Sequence, residues 1–136
     1  EDNGCVSINP GKYHRKVENE DIKIKVIKGL GYENQCIQLG EAVEPVQNPR
    51  RSGELPRWNM IFTFNAGSVT VYTYALPVFP VNSERGTCFG IMIDNGLLKY
   101  ASNNAKEYSG EWRENVYRNS TINAVTLNID KPGKHT

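Results

Sequence analysis

Residues 58–77 read WNMIFTFNAGSVTVYTYALP. Trp58, Met60, Phe62 and Phe64 recur at every second position, which places them on one face of an extended segment. Asn65-Ala66-Gly67 then offers turn chemistry. Beyond it Val69, Val71, Thr73 and Ala75 alternate with Ser68, Thr70, Tyr72 and Tyr74. Period-two patterning on both sides of a glycine-bearing turn selects strand over helix and predicts a β-hairpin over 58–77.

The same texture continues outward. CFGIMIDNGLLKYA (88–101) sets Asp94-Asn95-Gly96 between two apolar runs, and Asn-Gly is a strong hairpin signal. TINAVTLNI (121–129) reads as a strand, followed by a turn at Asp130-Lys131-Pro132-Gly133 and the beginning of another strand. Towards the N-terminus, CVSIN (5–9), DIKIKVIK (21–28) and QCIQLG (35–40) are further strands. Residues 41–57, with three prolines and mixed charge, read as an exposed loop. EWRENVYRNS (111–120) is the one segment with helical character. Many short strands with Gly, Pro and Asn turns predict an all-β domain over residues 1–136, an antiparallel jelly-roll-like β-sandwich of about eight strands. The last strand, 121–129, would show an open edge unless a partner covers it.

Composition excludes several classes. The 136 residues suit one domain, and 16 basic against 15 acidic residues leave a net charge of +1. That balance gives no footprint for nucleic acid and no polybasic membrane contact. No apolar run approaches the roughly 20 residues of a membrane span. The chain opens on Glu1, not Met, and reads as a piece of something longer. Cys5, Cys36 and Cys88 are widely spaced and His14 and His135 are the only histidines, so no zinc-like cluster is expected. The cysteines read as small buried apolar side chains. Cys5–Cys36 and Cys36–Cys88 are the pairings open to an oxidising compartment.

IKGLGYENQCIQLG (27–40) begins like a dinucleotide fingerprint, with Gly29 and Gly31 following a strand. Such a loop must open a helix whose N-terminus meets the pyrophosphate. Here another strand follows, and Asn34 stands where the third glycine belongs. The glycines therefore read as turn residues that supply positive φ. Catalytic motifs are equally thin. Glycoside hydrolysis needs two facing carboxylates; the acids are scattered, and Glu111 with Glu114 reads as solvated surface. No Gly-x-Ser-x-Gly elbow occurs. No catalytic residue, metal ligand or cofactor is expected.

Taken in order, GLGYENQCIQL, the proline-rich loop, LPRWNMIFTFNAGSVTVYTYALPVFPV, FGIMIDNG, EWRENVYRNS and TLNIDKPGKHT resemble the C-terminal domain of glycoside hydrolase family 115, from about Val6 to Thr136. The family's enzymes are xylan α-1,2-glucuronidases with catalysis in an upstream (β/α)-barrel. The resemblance implies a β-sandwich similar to carbohydrate-binding modules. Its role would be non-catalytic: packing on the catalytic domain, dimerisation, or completing the substrate cleft. It also implies a bacterial periplasmic or extracellular setting. The chain departs from the family where Pro10-Gly11-Lys12-Tyr13 replaces an Ala-Glu-His-Tyr-like motif. In related sandwiches that Glu ligates calcium, so no calcium is expected at Gly11. Ile24 stands where a Trp often precedes the GLG loop, and the family's final strand after KPGKHT is absent.

The alternative is a module that itself binds xylan or a similar oligosaccharide. Sugar sites pair exposed aromatic rings with amide side chains. That pattern selects Tyr32, Asn34, Tyr108, Trp112 and Asn115 as ligand-binding candidates, while Trp58 reads as core and Trp112 equally suits packing. Tyr72 and Tyr74 share one strand face suited to a partner domain or a second protomer.

Overall fold

The computed structural model describes residues 4–41, 55–79 and 86–136. Residues 42–54 of the expected loop lie outside them, and Arg57 already belongs to a strand. The described residues form ten strands, one α-helix and a single 3-10 turn at Pro10–Lys12. The class is all-β, and every strand pair of defined register is antiparallel. Two compact units divide the chain near Phe62.

In the first unit β1 (Arg15–Val17) pairs with β4 (Arg57–Asn59), and β2 (Ile24–Lys28) pairs with β3 (Gln35–Leu39). β1 has little hydrophobic alternation to announce it. The β2–β3 connection answers the fingerprint question. Gly29 and Gly31 sit at φ +83° and +86°, Asn34 at +60°, and the Gly29 N–H donates to the Asn34 carbonyl at 2.9 Å. These residues bend a hairpin, and no helix follows.

Side-chain ties hold this hairpin. Asn9 Nδ2 donates to Glu33 Oε2 at 2.6 Å, while Asn9 Oδ1 accepts from the Gly11 N–H and caps the 3-10 turn. The strand expected over 5–9 does not form; only Cys5 makes a lone bridge, because Asn9 is committed to that cap ahead of Pro10. The Gln35 carboxamide occupies the space where a Gly11 side chain would begin, 2.7 Å from an ideal Cβ. Glu18 accepts from the Ile24 N–H at 2.7 Å and from Lys16 Nζ at 2.9 Å, pinning the start of β2.

The second unit is built on β6 (Gly67–Ala75) and β9 (Thr121–Ile129), paired nine residues for nine. Val69, Val71, Thr73 and Ala75 face inward with Thr121, Val125, Leu127 and Ile129. Each buried aliphatic side chain contributes about 1.5–3 kcal/mol. The outer face carries Tyr72 opposite Ala124, Tyr74 opposite Ile122, and a Thr70–Thr126 hydroxyl pair at 3.1 Å.

The hairpin expected over 58–77 is not formed. β4 and β5 (Phe62–Phe64) are separate strands; β5 pairs with β10 (Gly133–His135), and β6 with β9. A nine-residue strand gains far more ladder from an equal partner than from the three residues of β5. The 88–101 hairpin does form, as β7 (Cys88–Ile91) with β8 (Lys99–Ser102). Its turn places Asp94 at φ +54° and closes with Gly96 N–H to Ile93 O at 2.9 Å. Cys5 and Cys88 are exposed free thiols, and Cys36 is half-buried and free. The buried reading fails for Cys88 because Phe89 and Ile91 take the inner side of β7.

Polar ties join these elements. Lys99 Nζ donates to the Thr126 carbonyl, and Asn123 Nδ2 to Asn103 Oδ1, both at 2.6 Å. His135 Nδ1 lies 2.9 Å from Asp94 Oδ2, fastening β10 to the β7–β8 turn.

Two outcomes test these local constraints. Gly31 combines positive φ with an ideal Cβ only 2.9 Å from the Gln35 carbonyl, whereas nothing approaches Gly29. Gly31→Ala should cost more than the roughly 1–2 kcal/mol of left-handed strain that Gly29→Ala alone incurs. Urea midpoints of the two variants check the order. The Ile24 N–H and then Lys16 hold the Glu18 carboxyl below the ordinary carboxylate range. A depressed folded-state pKa gives stability that is present above the unfolded value and lost as pH falls through the folded one. The gap in urea midpoint between the wild type and Glu18→Gln should narrow on acidification; a constant gap would show that Glu18 carries no such linkage.

Candidate functional site

The single helix, α1 (Gly110–Tyr117), presents the most developed surface feature. Its position is fixed at both ends. Ser109 is the N-cap, its Oγ accepting from the Trp112 N–H at 3.1 Å, a contact of about 1 kcal/mol. At the other end Asn119 adopts φ +51°, the Asn119 N–H donates to Val116 O and the Ser120 N–H to Asn115 O. This is a complete Schellman termination with asparagine in the place usually held by glycine. It delivers the chain directly into β9, where Ser120 and Thr121 are buried.

Tyr108, Trp112, Arg113, Val116 and Tyr117 line an open cleft of about 330 Å³ on this helix. Trp112 is its half-buried floor, stacked on Phe79 with ring centroids 3.9 Å apart and planes inclined by 27°. Tyr108 and Tyr117 are 83% and 82% exposed. The Arg113 guanidinium makes no ion pair among the described residues.

The sequence candidates distribute unevenly. Tyr108 and Trp112 come together in the cleft. Asn115, only 2% exposed, lies beneath the helix, and its Oδ1 accepts from an Arg118 guanidinium nitrogen at 2.6 Å. Tyr32, 80% exposed, and Asn34 occupy the tip of the β2–β3 hairpin in the first unit. Arg113 and Tyr117 were missed as cleft residues. The spacing of Trp112, Val116 and Tyr117 on a helix was the available signal.

The carboxylates with defined partners are structural ties: Glu33 to Asn9, Glu18 to Ile24 and Lys16, Glu41 to Lys25, Asp94 to His135. Among the described residues no group of three or more His, Cys, Asp or Glu could hold a metal ion, and no helix is long and apolar enough to cross a membrane.

No curated protein matches this chain. Among solved structures it is similar to BtGH115A, a family GH115 4-O-methyl-α-glucuronidase with specificity for decorated arabinogalactans, with a TM-score of 0.60 and 24% identity. That similarity covers 91% of this chain and 15% of the other, so the chain spans a small part of its neighbour's length. At this identity the likeness speaks for the fold. The model of the glycosyl hydrolase family 115 C-terminal domain matches residues 1–136, the whole chain. With the antiparallel all-β fold beside that match, the chain belongs to glycosyl hydrolase family 115 as its C-terminal domain.

Proposed function

We propose that this chain is a non-catalytic accessory module of a larger glycoside hydrolase, and that it packs on the catalytic domain of its parent enzyme through the outer face of β6 and β9. The observation that carries this reading is the apolar end of that face. Tyr72 and Tyr74 are 60% and 58% exposed and stand opposite Ala124 and Ile122, while the far end bears Ser68, Thr70, Thr126 and Asn128. Tyrosine suits such a role because an apolar ring carries a polar tip, and contiguous exposed apolar surface marks interaction sites. The engagement of the partnered carboxylates in structural ties supports a module without its own chemistry.

The parent activity that fits the family is removal of glucuronic acid or its methyl ether from a decorated polysaccharide. The setting proposed for the parent is periplasmic or extracellular. A second copy of the chain is the other occupant the β6–β9 face would suit.

The test uses the parent protein with Tyr72→Ser and Tyr74→Ser together. Both side chains point outward, so the domain should keep its strand signature. Its melting should separate from that of the catalytic domain, and limited proteolysis should release it faster. Unchanged co-melting and proteolysis would rule this face out as the docking surface. A loss of dimer in sedimentation, with domain packing intact, would assign it to a second copy. The chain on its own should release no glucuronic acid from glucuronoxylan; measurable release would end the accessory reading.

A further inference from the structure

We infer that the α1 cleft is a binding site for a carboxylate-bearing sugar, one or two rings at the end or branch of an acidic glycan. This site stands on a different element from the β6–β9 face, and binding there does not depend on whether that face docks.

The cleft has the parts such a ligand requires. At about 100° per residue, Trp112, Arg113, Val116 and Tyr117 fall on one side of α1. Glu111 and Glu114 fall on the opposite flank, and Asn115 points into the core. The binding side therefore carries one positive charge and no carboxylate from the helix. Trp112 offers a flat apolar surface whose orientation Phe79 already fixes. Less ordering is lost on binding a ring that is already held. Tyr108, at φ +59° just before the N-cap, and Tyr117 at the C-terminal end rise as walls with hydroxyl tips.

A pyranose has an apolar C–H face for the indole and a rim of hydroxyls for the tyrosines. A carboxylate at its edge gives the guanidinium the planar, bidentate partner that arginine is built to take. The volume, about 330 Å³, sits at the small end of the roughly 300–1,000 Å³ of ligand pockets, which limits the fit to about one or two rings. A helical peptide partner would need a row of apolar pockets at helical spacing, and the cleft supplies one.

Calorimetric titration of the protein tests this with cellobiouronic and digalacturonic acids against their neutral counterparts, cellobiose and galactobiose. At least one acid should bind at millimolar concentration or below, tenfold or more tightly than its neutral partner. Arg113→Gln should erase that preference, and Tyr117→Ala should weaken binding of the acid at least tenfold. Both side chains are exposed, so the amide spectrum of each variant should match the wild type, unlike Trp112→Ala, which also loses the Phe79 stack. Absence of binding by either acid overturns the site. So does equal binding of acid and neutral sugar, or an acid preference that survives Arg113→Gln. If Tyr117→Ala leaves sugar binding intact but changes the sedimentation of the protein, the cleft belongs to a protein contact and the inference falls.

Discussion

The second unit depends on one register. β6 and β9 pair residue for residue from Gly67 with Ile129 to Ala75 with Thr121. Because side chains alternate faces with a period of two, this alignment decides every neighbouring contact at once. It sends Val125, Leu127 and Ile129 into the core and leaves Tyr72 and Tyr74 outside. It brings the Thr126 carbonyl to Lys99 and the Asn123 amide to Asn103, which sets β8 beside β9. It also fixes α1, since the helix ends directly in the first residues of β9. The cleft on α1 and the tyrosine face on β6 are thus both consequences of the same alignment of two strands.

Much of this was legible in the residues, for reasons that can be named. β9 was read with its observed bounds because TINAVTLNI alternates without interruption. The β7–β8 hairpin was legible because Asp94-Asn95-Gly96 tolerates positive φ, and the β2–β3 connection because Gly29 and Gly31 do. What failed was pairing. The stretch 58–77 contains real strands, yet local alternation cannot report that β6 prefers a partner roughly fifty residues away over its neighbour β5. β1 stayed hidden because Arg15 and Lys16 give no apolar alternation. The exposure of Cys88 was missed because residue type was weighed above its place opposite Phe89 and Ile91 on β7.

The site was legible in part. Tyr108 and Trp112 stood out as aromatic residues beside the one helical segment, and they share the cleft. Asn115 looked equally polar and equally close in sequence, but its direction depends on where the helix meets the core. It is buried against Arg118, whereas Arg113 and Tyr117 turn outward. Helical phase relative to the sheet separates these residues, and that phase is set by the Asn119 termination and the β6–β9 register together. Sequence carries the first of these signals weakly and the second hardly at all.

The nine-for-nine pairing also has a kinetic consequence. Residues 76–120 all lie between the two partners, so the chain must close a long loop before the ladder returns any free energy. Closure entropy grows slowly with length, about 0.6 kcal/mol per doubling, but a stiff or partly folded segment shortens the path. The β7–β8 hairpin and α1 are local structures inside that loop and can form in microseconds before it closes. Their early formation draws Ala75 and Thr121 together, so the domain's folding rate is governed by the persistence of these two small elements, while its stability rests on the sheet they help to close.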